Sequence, residues 1–129
     1  MTTITTPVFV MDHVECPYAD VCATLVAWQG DHLWTGSARE AGIVGKLDHV
    51  SNWLARVPIV SRSTQGEPIA ELRIIPVTTG NDPITELLVV IGSRGSGRLP
   101  TERDVRRARA ILDAVVRRLA SGRSHRRAS

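Results

Sequence analysis

"LLVVIGSRGSGRLPTERDVRRARAILDAVVRRLA", Leu87 to Ala120, decides the fold. It opens on an almost wholly apolar run. From Thr85 to Gly92 the pattern predicts a strand, and a strand apolar on both faces belongs in the middle of a sheet. A glycine-rich stretch follows, then a helical pattern. Thr101 can cap the helix, with Asp104 three residues on, so each side chain can bond the other's backbone N–H. Val105, Ala108, Leu112, Val115, Val116 and Leu119 recur at three- and four-residue spacing and predict one apolar face. Arg103, Arg106, Arg107, Arg117 and Arg118 are expected on the opposite face. Gly122 is the expected stop.

Working back from this end, Ile69 to Val77 alternates. Ala70, Leu72 and Ile74 fall on one side and Glu71 and Arg73 on the other, which is the period of a half-buried strand. "TTGNDP" (78–83) between the two strands collects residues that favour bent backbone. Ile59 to Ser63 predicts a short strand that "TQGE" turns. Leu47, Val50, Leu54 and Val57, with Trp53, follow helical spacing and predict a helix over 46–56, ended at Val57-Pro58. Asp20 to Trp28 is apolar and predicts a buried strand. "QGD" (29–31) turns it into a hairpin whose second arm is His32 to Ser37. A short helix near Cys16 can precede this order.

The expected fold class is therefore α+β. A single, mostly antiparallel sheet of about five strands carries helices in the order β-β-α-β-β-β-α. One domain suits 129 residues and 43% apolar content. Its expected parts are an N-terminal arm (1–18, with Thr2 to Pro7 loose), a folded domain (19–121) and a basic disordered tail (122–129). The start, MTTITTPVFVMDH, has no basic segment and meets Asp12 early, so no secretory signal is expected. No apolar run approaches a membrane span. Two cysteines make no disulfide framework, and a cytoplasmic protein is expected.

This order resembles the profilin-like sensor folds, GAF domains first and roadblock domains more distantly. The opening stretch is similar to the end of a GAF domain: a central strand, a Gly-rich loop, a Thr-x-x-Asp cap and a closing helix. "VPIVSRSTQGEPIAELRIIPV" (57–77) is similar to the GAF hairpin before it. The likeness spans Ala19 to Ala120 and carries shape, not chemistry. The Asn-Lys-Phe-x-x-x-Asp-Glu motif of cyclic-nucleotide-binding GAF domains is missing, as is a tetrapyrrole-attaching cysteine. The resemblance implies a regulatory module that binds a small molecule, of unknown identity, between sheet and helix.

The net charge of +3 hides a split. Residues 1–93 carry five basic and ten acidic residues, a net of −5, whereas residues 94–129 carry eleven arginines and three acids, a net of +8. A basic element of this kind suits an anionic partner, or the acidic body of a second copy or another protein.

The candidate sites follow. Trp28, Trp34 and Trp53 are three of five aromatic residues. With His49 they either pack the core or wall a ligand pocket. Arg94 and Arg98 lie in a glycine-rich connector beside a helix N-terminus, where free N–H groups also suit an anion. Arg106, Arg107, Arg117, Arg118, Arg126 and Arg127 are the candidate contacts to nucleic acid or another anionic partner. No helix-turn-helix, zinc-finger or RNA-stacking motif accompanies them, so base-specific readout is not expected. His13, Glu15, Cys16 and Cys22 lack the spacing of a zinc site, and no metal is expected. Ser61 and Ser63 have no nucleophile-elbow context, Cys22 is expected to be buried and inert, and Asp12, Glu15 and Asp20 to be solvated.

The expectation is a non-enzymatic regulatory module that binds a small molecule or partner protein and forms a homodimer. The alternative is a nucleic-acid-associated protein using the Arg-rich helix and tail.

Overall fold

The computed structural model describes residues 8–35, 39–61, 68–79, 82–91 and 101–127. Among the described residues, seven strands and two helices follow one another in the order β1 (Val8–Val14), α1 (Tyr18–Ala27), β2 (His32–Trp34), β3 (Glu40–Val44), β4 (Asp48–Ser51), β5 (Leu54–Val60), β6 (Pro68–Thr79), β7 (Asp82–Ile91), α2 (Glu102–Arg127). All strands join one antiparallel sheet in the order β1-β7-β6-β5-β3-β2, with β4 also against β5.

The C-terminal half follows its pattern. In β6, Ala70, Leu72 and Ile74 are buried, while Glu71 and Arg73 point away. β7 is interior, between β1 and β6. At the head of α2 the Thr101 N–H bonds Asp104 Oδ2 at 3.0 Å and the Asp104 N–H bonds Thr101 Oγ1 at 3.3 Å, the reciprocal cap. Ala108, Ile111, Leu112, Ala114 and Val115 are buried, with Val116 and Leu119 packed at their margin. Val105 is exposed, and the helix runs through Gly122 to Arg127. A glycine inside a helix costs about 1 kcal/mol relative to alanine, which flanking helix formers such as Arg can absorb.

The N-terminal half departs from expectation in three places. Residues 20–28, expected as a strand, instead belong to α1 (Tyr18–Ala27) and its C-cap, Trp28. Val21, Cys22, Leu25 and then Trp28 are buried, a helical spacing that prevails over the β-branched content. Residues 46–56, expected as a helix, form β4 and the start of β5. Ala55, Val57 and Ile59 are fully buried and alternate with Arg56 and Pro58, so period two wins. The 1–18 stretch holds β1, paired with β7 over its whole length. With β3, where no element was expected, these changes take the strand count from about five to seven among the described residues.

Pro58 sits inside β5 because its neighbour is interrupted beside it. The Glu40–Ser51 run flanks β5 as β3 and β4, broken at Gly45, whose N–H bonds the Pro58 carbonyl at 2.8 Å. The ring has no N–H to give the ladder, and the break removes the need for one. A Cβ on Gly45 would lie 2.6 Å from Pro58 Cγ and 2.8 Å from its carbonyl oxygen, so only glycine passes there.

Both helices lie on one face of the sheet. α1 packs on β6 and β7; α2 touches β1 and β7 near one edge and β2 and β3 near the other. One helix can reach both edges because the sheet curls around it. Between them lies one apolar core. Its buried polar member, Thr85, donates its hydroxyl to the Cys16 carbonyl at 2.6 Å, which satisfies both groups. No helix among the described residues is long and apolar enough to cross a membrane.

Candidate functional site

A cleft of about 580 Å³ opens where β2 meets the C-terminal half of α2. Gly30 to Trp34 form one wall; Ala114, Arg117, Arg118 and Ser121 form the other. Its volume falls in the range of small-molecule sites, about 300–1,000 Å³.

The β2 wall begins at a pinned turn. Gly30 takes a positive φ of 87°, which glycine adopts without strain. The Asp31 N–H bonds the Trp28 carbonyl at 2.8 Å. The Gly30 N–H bonds the Val44 carbonyl at 2.8 Å, and the Val44 N–H returns a bond to the Asp31 carbonyl at 2.9 Å. The end of β3 thus holds the turn. Along β2 the side chains alternate: Leu33 enters the core, while His32 and Trp34 share the other face and stack, centroids 5.5 Å apart and planes 18° apart. Trp34 remains 54% exposed. His32 Nδ1 lies 3.1 Å from Glu40 Oε2 on β3. The register slips between Leu33 and Trp34, an irregularity on an edge strand that re-aims the side chain beyond it.

The α2 wall supplies cations. Arg118 was expected on the outer face, but it turns inward. Its guanidinium lies 4.4 Å over the Trp28 ring, and Nη2 meets Asp31 Oδ2 at 2.6 Å. Helical geometry explains this: Arg118 follows Ala114 by four residues and Val115 by three, so it sits at the margin of the buried stripe. Stacking and pairing fix the guanidinium while one of its five N–H groups bonds Asp31. Arg117, one residue before it, is exposed.

The expected four-residue pocket does not assemble. Trp28 is 7% exposed at the end of α1, under Arg118, so it is core and platform at once. Trp34 stands in the cleft wall. Trp53, 66% exposed, and His49 lie at the β4–β5 hairpin. That hairpin is at the far end of β5 from its pairing with β3, about 20 Å away at 3.3 Å per residue. Asp31 and His32 line the cleft, with Glu40 beside His32, and none of the three was anticipated. The alternation in "HLW" puts His32 and Trp34 on one face, but nothing local pairs Asp31 with a residue 87 positions away.

Among the arginines, Arg103, Arg106, Arg107 and Arg117 are exposed on α2. Arg126 and Arg127 fall within its last turns, and Arg94 and Arg98 lie outside the described residues. Among the described residues no group of three or more His, Cys, Asp or Glu could hold a metal, so His13, Glu15, Cys16 and Cys22 are not brought together as one. Cys16 is half-buried and Cys22 buried, and neither is in a disulfide. Burial raises the Cys22 thiol above its ordinary 9.0. Burial, with the Cys22 thiol beside it, pushes the Tyr18 hydroxyl from 10.0 up to about 12. Both groups stay protonated at neutral pH.

Comparison with protein families, characterised proteins and solved structures found no match.

Proposed function

We propose that the protein is a non-enzymatic regulatory module that binds a small anion bearing a flat ring in the cleft between β2 and α2. The observation that carries this reading is the composition of the two walls: a half-exposed Trp34, backed by His32, across from Arg117 and a pre-oriented Arg118. An aromatic face recognises a ring, and guanidinium donors recognise a carboxylate or phosphate. Arg118 is already ordered by Trp28 and Asp31, so binding sacrifices little side-chain entropy there. The Thr-x-x-Asp cap and closing helix, which resemble those of GAF domains, favour the same reading.

The test is a fluorescence titration with an aromatic carboxylate and a nucleoside monophosphate. Saturable quenching that disappears in Trp34→Ala supports the site. Arg117→Ala should weaken binding about tenfold, the worth of one charge-assisted hydrogen bond. Unchanged affinity in both variants removes the reading.

A second reading, binding of nucleic acid, rests on the exposed run of Arg103, Arg106 and Arg107. Its mark is an affinity for duplex DNA that falls steeply with salt. Replacing those three arginines by serine must flatten that dependence, or the reading fails.

A further inference from the structure

The helices cover one face of the sheet; the other face carries an unexplained apolar half. An antiparallel sheet covered on one side usually turns polar residues to water on the other. Here the outward positions form rows whose register is known. One row runs Met11–Leu88–Arg73–Arg56–Asp48 across five strands, and the next runs Phe9–Val90–Glu71–Pro58. Both rows are apolar on β1 and β7 and then carry Arg73, Arg56 and Asp48 in the first and Glu71 and Pro58 in the second, whereas the adjoining row, His13–Glu86–Ile75, is polar on β1 and β7. Phe9 is 58% exposed and Met11 52%. They sit side by side on β1, an edge strand. Among the described residues neither helix reaches this face.

The charged half neutralises itself. Arg73 Nε meets Glu71 Oε2 at 2.7 Å, and Arg56 lies 3.3 Å from Asp48 and 3.8 Å from Glu71. These two arginines and two acids sum to zero and Glu86 adds a further acid, so this face is not basic, although the chain as a whole is +3 and its arginine-rich helix lies on the opposite side.

From this layout we infer that the outer face of β1 and β7 is a homodimer interface, closed by the same face of a second copy. A two-fold axis near β1 sets Phe9 and Met11 of one copy against those of the other, the self-matching arrangement of a symmetric dimer. The alternating charges then form the rim. Arginines of one copy can then face carboxylates of the other. An anionic partner has no purchase on a face whose acids outnumber its arginines; it fits the helix side instead. This inference goes beyond the cleft and does not depend on its ligand.

Sedimentation equilibrium of the full chain tests it, over the widest soluble concentration range. The wild type should associate to a dimer. Phe9→Glu with Met11→Glu should raise the dimer dissociation constant about a hundredfold, since buried apolar contact is exchanged for facing carboxylates. Both side chains are more than half exposed in one copy, so the thermal melt of the dilute, monomeric variant should match that of dilute wild type. Arg73→Glu should weaken the dimer as well, and adding Glu71→Arg should restore it. Trp34→Ala should leave the dimer intact, which separates this inference from the cleft. A wild type that stays monomeric overturns the proposal. So does a dimer that withstands Phe9→Glu/Met11→Glu, or one that Arg117→Glu dissociates instead.

Discussion

The two faces of the sheet are built from the same strands and serve opposite ends. On the covered face, Leu72, Ile74, Leu87 and Val89 are fully buried with no charge among them. On the bare face, the neighbours of those residues are Glu71, Arg73, Glu86 and Leu88, half-buried, with the arginines and acids of the β6–β4 half paired to one another. One face has completed its burial within the chain. The other pairs the arginines of its β6–β4 half with acids and leaves Phe9 and Met11 open. Stability should therefore be concentrated on the first face and association on the second.

That contrast is broken or sharpened by substitution. Leu72→Ala on the covered face should cost about 2–5 kcal/mol in urea unfolding, through lost transfer energy and the cavity left behind. Ile75→Ala, on the bare side of the same strand, should cost less than about 1.5 kcal/mol, since its side chain stays part-exposed. Equal losses would erase the distinction between the faces. Next comes the seam that lets β5 carry a proline. Gly45→Ala must push its Cβ into Pro58 and should cost about 1–3 kcal/mol, read in the same unfolding experiment.

A smaller effect belongs to the cleft. Arg118→Ala should cost about 1 kcal/mol, because the ion pair with Asp31 is partly exposed and only the stacking on Trp28 is shielded. Arg117→Ala, one residue away but unstacked, should stay within about 0.5 kcal/mol of wild type. Thermal melts of the two variants compare a positioned cation with a free-standing one.

The smallest effect is a slope with pH. The Tyr18 hydroxyl is raised from 10.0 to about 12, so the folded state holds this proton more tightly than the unfolded chain. Its contribution is fully present below pH 10 and is lost as pH rises toward about 12. Tyr18→Phe should make the denaturation midpoint fall less across that range. Cys22, raised above 9.0, adds a similar loss that Cys22→Ala removes.

What could be read from sequence follows from how local each signal is. The cap, apolar stripe and preceding strands of the C-terminal half are set by residues within a few positions of one another, and β6, β7 and α2 appear where their periods place them. Residues 46–56 were ambiguous for a physical reason. Leu47, Val50, Leu54 and Val57 fit a helix, while Ala55, Val57 and Ile59 fit a strand, and only pairing with β6 decides between them. α1 was hidden by Val21, Thr24 and Val26, whose β-branched side chains favour strands when nothing else is known. The candidate site was half legible. Trp34 was singled out for a pocket and Arg117 and Arg118 for an anionic partner on an outer helix face; all three line the cleft, and Trp28 supports it from below. His49 and Trp53 were grouped with them on a helix that does not form, and the β4–β5 hairpin carries them away. The Asp31–Arg118 pair joins residues 87 positions apart, so no local pattern could announce it.

Native mass spectrometry of the full chain as purified, set against its denatured mass, tests the cleft most directly once the same spectra are taken for Trp34→Ala. The account predicts that the wild type binds an added aromatic anion with one ligand mass per chain and that Trp34→Ala does not. Equal ligand occupancy in the two proteins, or none in the wild type at saturating ligand, would contradict it.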